Sequence, residues 1–127
     1  MLARTLAYLF PGIDFTRDVV IQADQGLVEW RRPEPQPTTA ELAAAELPAA
    51  KQFAIAANRA ECSRRIFARY PPGRQLSALA GLYDSANMAT MTDWIAANIS
   101  AENTAADEIE AATTVAAVEA VSVSWPA

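Results

Sequence analysis

From Thr38 to Tyr70 the chain runs without a glycine, is rich in alanine, and contains one proline, Pro48. A stretch of this kind is helical by composition, and a long helix must bury one face to be stable in water. Pro48 lacks an amide proton and clashes with the preceding turn. It is therefore expected either to separate a short helix from a longer one or to open the second at its first turn. The start is marked by Thr38-Thr39-Ala40-Glu41, which fits a capping box. There the threonine hydroxyl and the glutamate carboxylate satisfy free amides. Tyr70-Pro71-Pro72-Gly73 is the stop. Phe53, Ala56, Ala60, Phe67 and Tyr70 share one face, with Ile55, Cys62 and Ile66 beside it, and small residues among large ones allow a second helix to approach closely.

The rest of the chain fits around this helix. Leu2, Leu6, Leu9 and Phe10 form one apolar face of a short first helix that Pro11-Gly12 ends. Asp18 to Ala23 is β-branched in the middle, Asp24-Gln25-Gly26 carries turn chemistry, and Leu27 to Trp30 reads as a second strand. These make a β-hairpin with glycine at the left-handed position. A lone hairpin is marginal in water, so this one is expected to pack on the first helix through Val20 or Ile21 and Trp30. Pro33, Pro35 and Pro37 alternate in a segment read as a stiff extended spacer, with a ligand for a proline-recognising domain as the other use. After Pro72, Leu76, Leu79, Leu82 and Tyr83 give one helical pattern, broken at Asp84-Ser85. Met88, Met91, Trp94, Ile95 and Ile99 give a second, read as core, with a methionine-lined binding surface as the alternative. Ser100-Ala101-Glu102-Asn103 either caps or continues into an acidic helix containing Ile109, and Thr113-Thr114 starts a last turn through Val115 and Val118. Val121 to Pro126 alternates apolar and polar residues as an extended tail. Its Trp125 is too costly to leave bare and is expected to dock on this chain or a neighbour.

The fold class that follows is mainly α (α+β), several helices with a small N-terminal β-hairpin. Its parts are residues 1–32 as helix plus hairpin, 33–37 as proline spacer, 38–121 as a helical region, and 122–127 as tail. Apolar residues make up 52% of the chain, which excludes wholesale disorder, but much of this is alanine, so the larger apolar residues are scarce core material. No run reaches the roughly 18 apolar residues of a membrane span, and the start shows no signal-peptide cleavage pattern.

Chemistry is limited by missing parts. The chain has no histidine, one cysteine and four scattered glycines. That removes the commonest general base, the histidine-paired nucleophiles, the common zinc sets and any glycine-rich phosphate loop. Asp14 and Asp18 beside the hairpin, and Asp107, Glu108 and Glu110 near the end, show no calcium-loop spacing and read as solvated acids. A net charge of −5 argues against nucleic acid. Arg59, Arg64, Arg65, Arg69 and Arg74 form the one basic cluster, read as a solvated helix face. Lone Cys62 forms no intramolecular disulfide and fits a small buried hydrophobe in a reducing cytoplasm. The expectation is a non-enzymatic protein with no cofactor, metal, membrane or small-molecule substrate. Its candidate partner-binding residues are Trp30, Pro35, Pro37, Met88, Met91, Trp94 and Trp125.

Several stretches carry a resemblance. Ala7-Tyr8-Leu9-Phe10-Pro11-Gly12, the hairpin ending in Glu29-Trp30, and Pro35-Gln36-Pro37-Thr38-Thr39-Ala40-Glu41-Leu42 resemble the XkdW-like proteins of phage and prophage tail gene clusters. The turn Asp24-Gln25-Gly26 is shorter than the family's usual aspartate-glycine loop. Tyr70-Pro71 with Gln75-Leu76, and Ala111 to Val115 through Trp125-Pro126, are similar to C-terminal regions of tail-fibre-associated proteins. The resemblance implies a small protein that binds tail or tail-fibre proteins, and itself if it oligomerises. It would be either a minor virion component or a fibre assembly chaperone, found in the host bacterial cytoplasm during assembly or in the virion tail. The competing class is a small bacterial cytoplasmic adaptor or regulatory protein unrelated to virions.

Overall fold

A computed structural model describes residues 1–127. The chain is mainly helical, with five helices and one two-stranded antiparallel hairpin near the N-terminus. In order these are α1 (Leu2–Leu9), β1 (Val19–Gln22), β2 (Gly26–Trp30), α2 (Thr39–Arg69), α3 (Pro72–Leu79), α4 (Ser85–Ala111) and α5 (Val115–Ala120). Helix α2 is the spine, and α1, α4 and α5 all pack against it.

Helix α2 departs from expectation at Pro48, which neither separates two helices nor opens a second one. The helix continues from Thr39 to Arg69 with Pro48 inside it. A proline within a helix costs about 3 kcal/mol, and the surrounding packing offsets it. Ala45, Ala49 and Ala50 on either side are buried, Ala50 with Ile109 and Val118 in one apolar cluster that Leu47 and Ala54 flank. The capping box forms as read: Thr38 Oγ1 accepts from the Glu41 amide at 3.1 Å, and the Thr38 amide donates to Glu41 at 3.0 Å.

The hairpin turns at Gly26, whose φ of +72° is a left-handed conformation that glycine adopts without strain. Its face toward the protein differs from expectation. Val19 is the buried strand residue, while Ile21 is exposed. A bulge between Val20 and Ile21 pairs Val20 with Glu29 and Ile21 with Leu27, leaving Val28 over. The extra residue lies on β2, where Val28 and Glu29 are both exposed between half-buried Leu27 and Trp30; on β1 Val20 is half-buried and Ile21, next to the turn, is exposed. Trp30 does pack on the end of α1, its ring 5.0 Å from that of Phe10.

The proline segment bends back on the hairpin. Trp30 Nε1 donates to the Glu34 carbonyl at 2.6 Å, and Arg32 holds both Glu34 (2.6 Å) and Asp18 (3.1 Å). Pro35 is exposed and Pro37 is buried. Asp14 accepts from the Thr16 hydroxyl and amide, and Asp18 accepts from the Asp14 amide. The Thr16 hydrogen bonds pull the Asp14 carboxyl below its ordinary pKa, and the Asp14 amide, helped by Arg17 and Arg32, does the same for Asp18. Carboxylates read as solvated acids thus form the clasp at the hairpin base.

Helix α4 runs through Ser100 to Asn103 without a break, and Thr114 caps α5 by accepting from the Ala117 amide at 3.0 Å. Arg4 reaches Glu119 at 3.7 Å and ties α1 to α5. No helix is long and apolar enough to cross a membrane.

Candidate partner-binding site

Two neighbouring regions at the Arg69 end of α2 decide what surface the protein offers. The first is closed by the chain itself. Asn98 of α4 is fully buried, its Nδ2 donating to the Trp94 carbonyl at 2.9 Å and its Oδ1 accepting from Arg65 Nε at 3.3 Å. Oriented in this way, Arg65 donates through Nη2 to the Pro126 carbonyl at 2.7 Å, with its guanidinium 5.4 Å from the Trp125 ring centre. Trp94 Nε1 and Arg69 Nη1 both donate to the Ala127 oxygen, at 2.9 and 3.4 Å. Arg69 also stacks over Trp94 at 4.7 Å, and Tyr70 meets Trp94 edge-on. Cations over aromatic faces and charge-assisted hydrogen bonds to main-chain oxygens are individually modest, but here they converge on one short strap.

The arginine cluster read as a solvated face is therefore largely engaged. Arg65 and Arg69 hold the tail, Arg59 reaches Glu102 at 3.4 Å, and Arg64 forks onto Glu61 with both bonds at 2.7 Å. Arg74 donates to the Arg69 carbonyl. Trp125 docks within its own chain, and Met91 is buried with Tyr70 and Ala78, flanked by Met88, Trp94 and Ile95. Among the candidate partner residues, Met91 and Pro37 are buried. Trp30, Met88, Trp94 and Trp125 are half-buried in internal contacts, and Pro35 alone is exposed. The sequence candidates fall into four places: the hairpin base (Trp30), the segment before α2 (Pro35, Pro37), the apolar cluster with Tyr70 (Met88, Met91) and the tail strap (Trp94, Trp125).

The second region is open, where the sequence offers only a helical pattern at Leu76, Leu79, Leu82 and Tyr83. Pro72 starts α3 at a position where its missing amide costs nothing, and Ala78 is the side chain α3 buries, against Tyr70 and Met91. Gln75 Nε2 donates to the Tyr70 carbonyl and fixes the rotation of the helix. Gly81, at φ +83°, closes it, with the Leu82 amide donating to the Ser77 carbonyl and the Gly81 amide to that of Ala78. That anchoring turns the leucines outward: Leu76 is 66% exposed, Leu79 78% and Leu82 77%. Beside Leu82 lies an open groove of about 550 Å³ walled by Tyr70, Arg74, Tyr83, Asp84 and Asn87. Three leucines this bare on one short helix and its exit exceed the isolated exposed leucine any surface carries, and such patches mark contacts with other proteins. The sequence signal was their spacing of three on a helix too short to bury it.

The chemistry available is limited. Burial, and secondarily Glu102, pushes the Cys62 thiol up, which keeps it protonated and a poor nucleophile. No three His, Cys, Asp or Glu side chains are grouped so as to hold a metal ion.

The fold is thus a small helical body with an N-terminal hairpin and an apolar outer surface on α3. Residues 2–54 match the family described as XkdW protein, a phage-associated family. The match spans α1, the hairpin, the proline segment and the first half of α2, so the segment that resembled XkdW-like proteins by its motifs is the one that matches. No curated protein and no solved structure matches the chain.

Proposed function

We propose that this phage-associated chain is a non-enzymatic accessory protein of the tail or tail fibre that works by binding another protein. The observation that carries the reading is the outward trio Leu76, Leu79 and Leu82, held on a helix whose rotation is fixed from within. The match over residues 2–54 supplies the phage context. The absence of histidine and the protonated, buried Cys62 leave little for catalysis to use. The chain acts in the host bacterial cytoplasm while tails assemble, either leaving the fibre protein once it has folded or staying as a minor part of the virion tail.

The test is affinity purification of the tagged chain from cells producing phage, with cross-links mapped by mass spectrometry. The expected result is a tail or fibre protein cross-linked near α3, lost in the folded Leu76→Ser/Leu79→Ser double variant. Recovery of the chain with no phage structural protein would overturn the proposal.

A further inference from the structure

The segment after α5 is held by side chains alone. The Val121 amide donates to the Val118 carbonyl and closes the helix, but across residues 122–125 no amide or carbonyl takes part in a main-chain hydrogen bond. Val121, Val123 and Trp125 are half-buried, while Ser122 and Ser124 between them are exposed. Beside the two serines an open groove of about 330 Å³ runs along Ala97, Ala101 and Thr104 of α4, so one flank of the segment is not packed. Its far end hangs on three donors: Arg65 to the Pro126 carbonyl, and Trp94 and Arg69 to the Ala127 oxygen. A segment with few buried contacts and no ladder opens at a lower free energy than the helices it lies on.

Helix α3 is also lightly held, and by the same residues. Ala78 is the one side chain it buries. Gln75 Nε2 donates to the Tyr70 carbonyl at 2.8 Å, and Arg74 Nη1 to the Arg69 carbonyl at 3.4 Å. Arg69 therefore serves both elements: its carbonyl accepts from α3, and its guanidinium donates to the tail. Tyr70 does likewise. Its carbonyl accepts from Gln75 and its ring packs on Ala78, while the same ring meets Trp94 edge-on at 5.9 Å, and Trp94 carries the other bond to Ala127.

We propose that residues 121–127 are a detachable latch that sets how firmly α3 is seated, and with it the presentation of Leu76, Leu79 and Leu82. With the latch docked, Arg69 and Trp94 are fixed from the tail side and Tyr70 gives α3 a firm floor. With it detached, the Trp94 indole and the Arg69 guanidinium both lose the Ala127 oxygen, the floor under Ala78 loosens, and α3, only eight residues long, frays. The coupling is reciprocal: whatever holds α3 down also holds the latch, by the same factor. In its use this rests on α3 being the partner-binding surface. A partner seated on the leucines closes the latch, and one that draws the tail away dissolves the surface. The latch itself is a property of the chain alone.

Native-state cutting by trypsin after Arg74 tests it on the full purified chain, because that bond lies in the first turn of α3 and is cut only when the helix opens. Val123→Ser/Trp125→Ser removes inward side chains of the latch and should speed this cut at least fivefold, with far-UV circular dichroism and the cut after Arg17, before β1, unchanged. The reverse measurement leaves Trp125 in place and does not depend on that variant. Val123→Cys puts a half-covered thiol in the latch, and adding Ala78→Asp, which unseats α3, should speed its alkylation at least fivefold, while buried Cys62 stays unreactive. An Arg74 cut indifferent to the double substitution, a rise at Arg17 as large as that at Arg74, or a Val123→Cys thiol indifferent to Ala78→Asp would each overturn the coupling. No partner enters either measurement, so the latch can fail while capture through Leu76 and Leu79 succeeds, and the reverse.

Discussion

Asn98→Ala should loosen the tail strap and lower the stability of the whole molecule. The amide is fully buried and makes two hydrogen bonds, one to the Trp94 carbonyl at 2.9 Å and one from Arg65 Nε at 3.3 Å. A net neutral hydrogen bond contributes about 1 kcal/mol, and leaving a buried donor without a partner costs about 1–3 kcal/mol. The bond to Arg65 is long, and Arg65 keeps the Pro126 carbonyl, so the lower half of that range applies. The expected loss is about 2 kcal/mol, which for a chain of this size lowers Tm by roughly 6–10 °C. Urea unfolding followed by circular dichroism measures the global part. Tryptophan emission and hydrogen exchange at Val121 to Ala127 report the local part, with exchange there rising well before global unfolding. A double-mutant cycle with Arg65→Met should show a coupling of 0.5 kcal/mol or more. A loss under 0.5 kcal/mol with unaltered exchange in the tail would refute the idea that Asn98 orients the arginine that holds the strap.

Four further outcomes follow from the same structure. Trp30→Ala should cost about 2 kcal/mol in urea unfolding, because it removes the ring packed on Phe10 and the hydrogen bond to the Glu34 carbonyl; no change would undo the placement of the hairpin on α1. Pro48→Ala should raise Tm, since it restores a helix hydrogen bond and removes a clash worth up to about 3 kcal/mol. Leu76→Ser/Leu79→Ser should leave stability within about 0.5 kcal/mol, as expected for exposed sites, while abolishing partner capture. Acid should loosen the hairpin clasp. Asp14 is held below its ordinary pKa by Thr16, Asp18 by the Asp14 amide and Glu34 by Arg32. Carboxyls depressed in the folded state stabilise it above their unfolded values near pH 4, and that contribution is lost as pH falls through the folded values. Trp30 fluorescence followed from pH 6 to pH 2, in the wild type and in Asp18→Asn, should show a smaller acid transition in the variant.

What was legible in the sequence was punctuation. Pro11-Gly12, the Asp24-Gln25-Gly26 turn, the Thr38–Glu41 box and the Tyr70-Pro71-Pro72-Gly73 stop act through a few neighbouring backbone groups, and each stands where local chemistry puts it. Pro48 was misjudged because its local penalty is outweighed by burial of Ala45, Ala49 and Ala50, which depends on distant residues. Of the two β1 residues offered for packing, Ile21 lies outside beside the turn and Val20 is half-buried, and the bulge at Val28 on β2 leaves no mark in an alternating pattern.

The surface was hardest to see, for a plain reason. Periodicity at three and four residues shows that a helix has an apolar face, and nothing about whether its cover lies in the same chain. Phe53 and Phe67 on α2, and Leu76 and Leu79 on α3, have the pattern of core residues and lie outside. Met91, read as core with a binding surface as the alternative, lies within. The tail shows the converse: Trp125 was expected to dock, but its seat on Arg65 joins positions sixty residues apart that no spacing could link.

The central claim is that this chain works by binding a phage tail or fibre protein, and the most direct measurement is quantitative mass spectrometry on two preparations from one producing culture. One is the purified particle; the other is immature fibre protein drawn from the cells before release. The account predicts the chain at defined stoichiometry in at least one of them, in the particle if it is a structural part and only with immature fibre protein if it is a chaperone. Its absence from both, while it is abundant in the same cells, would contradict the account.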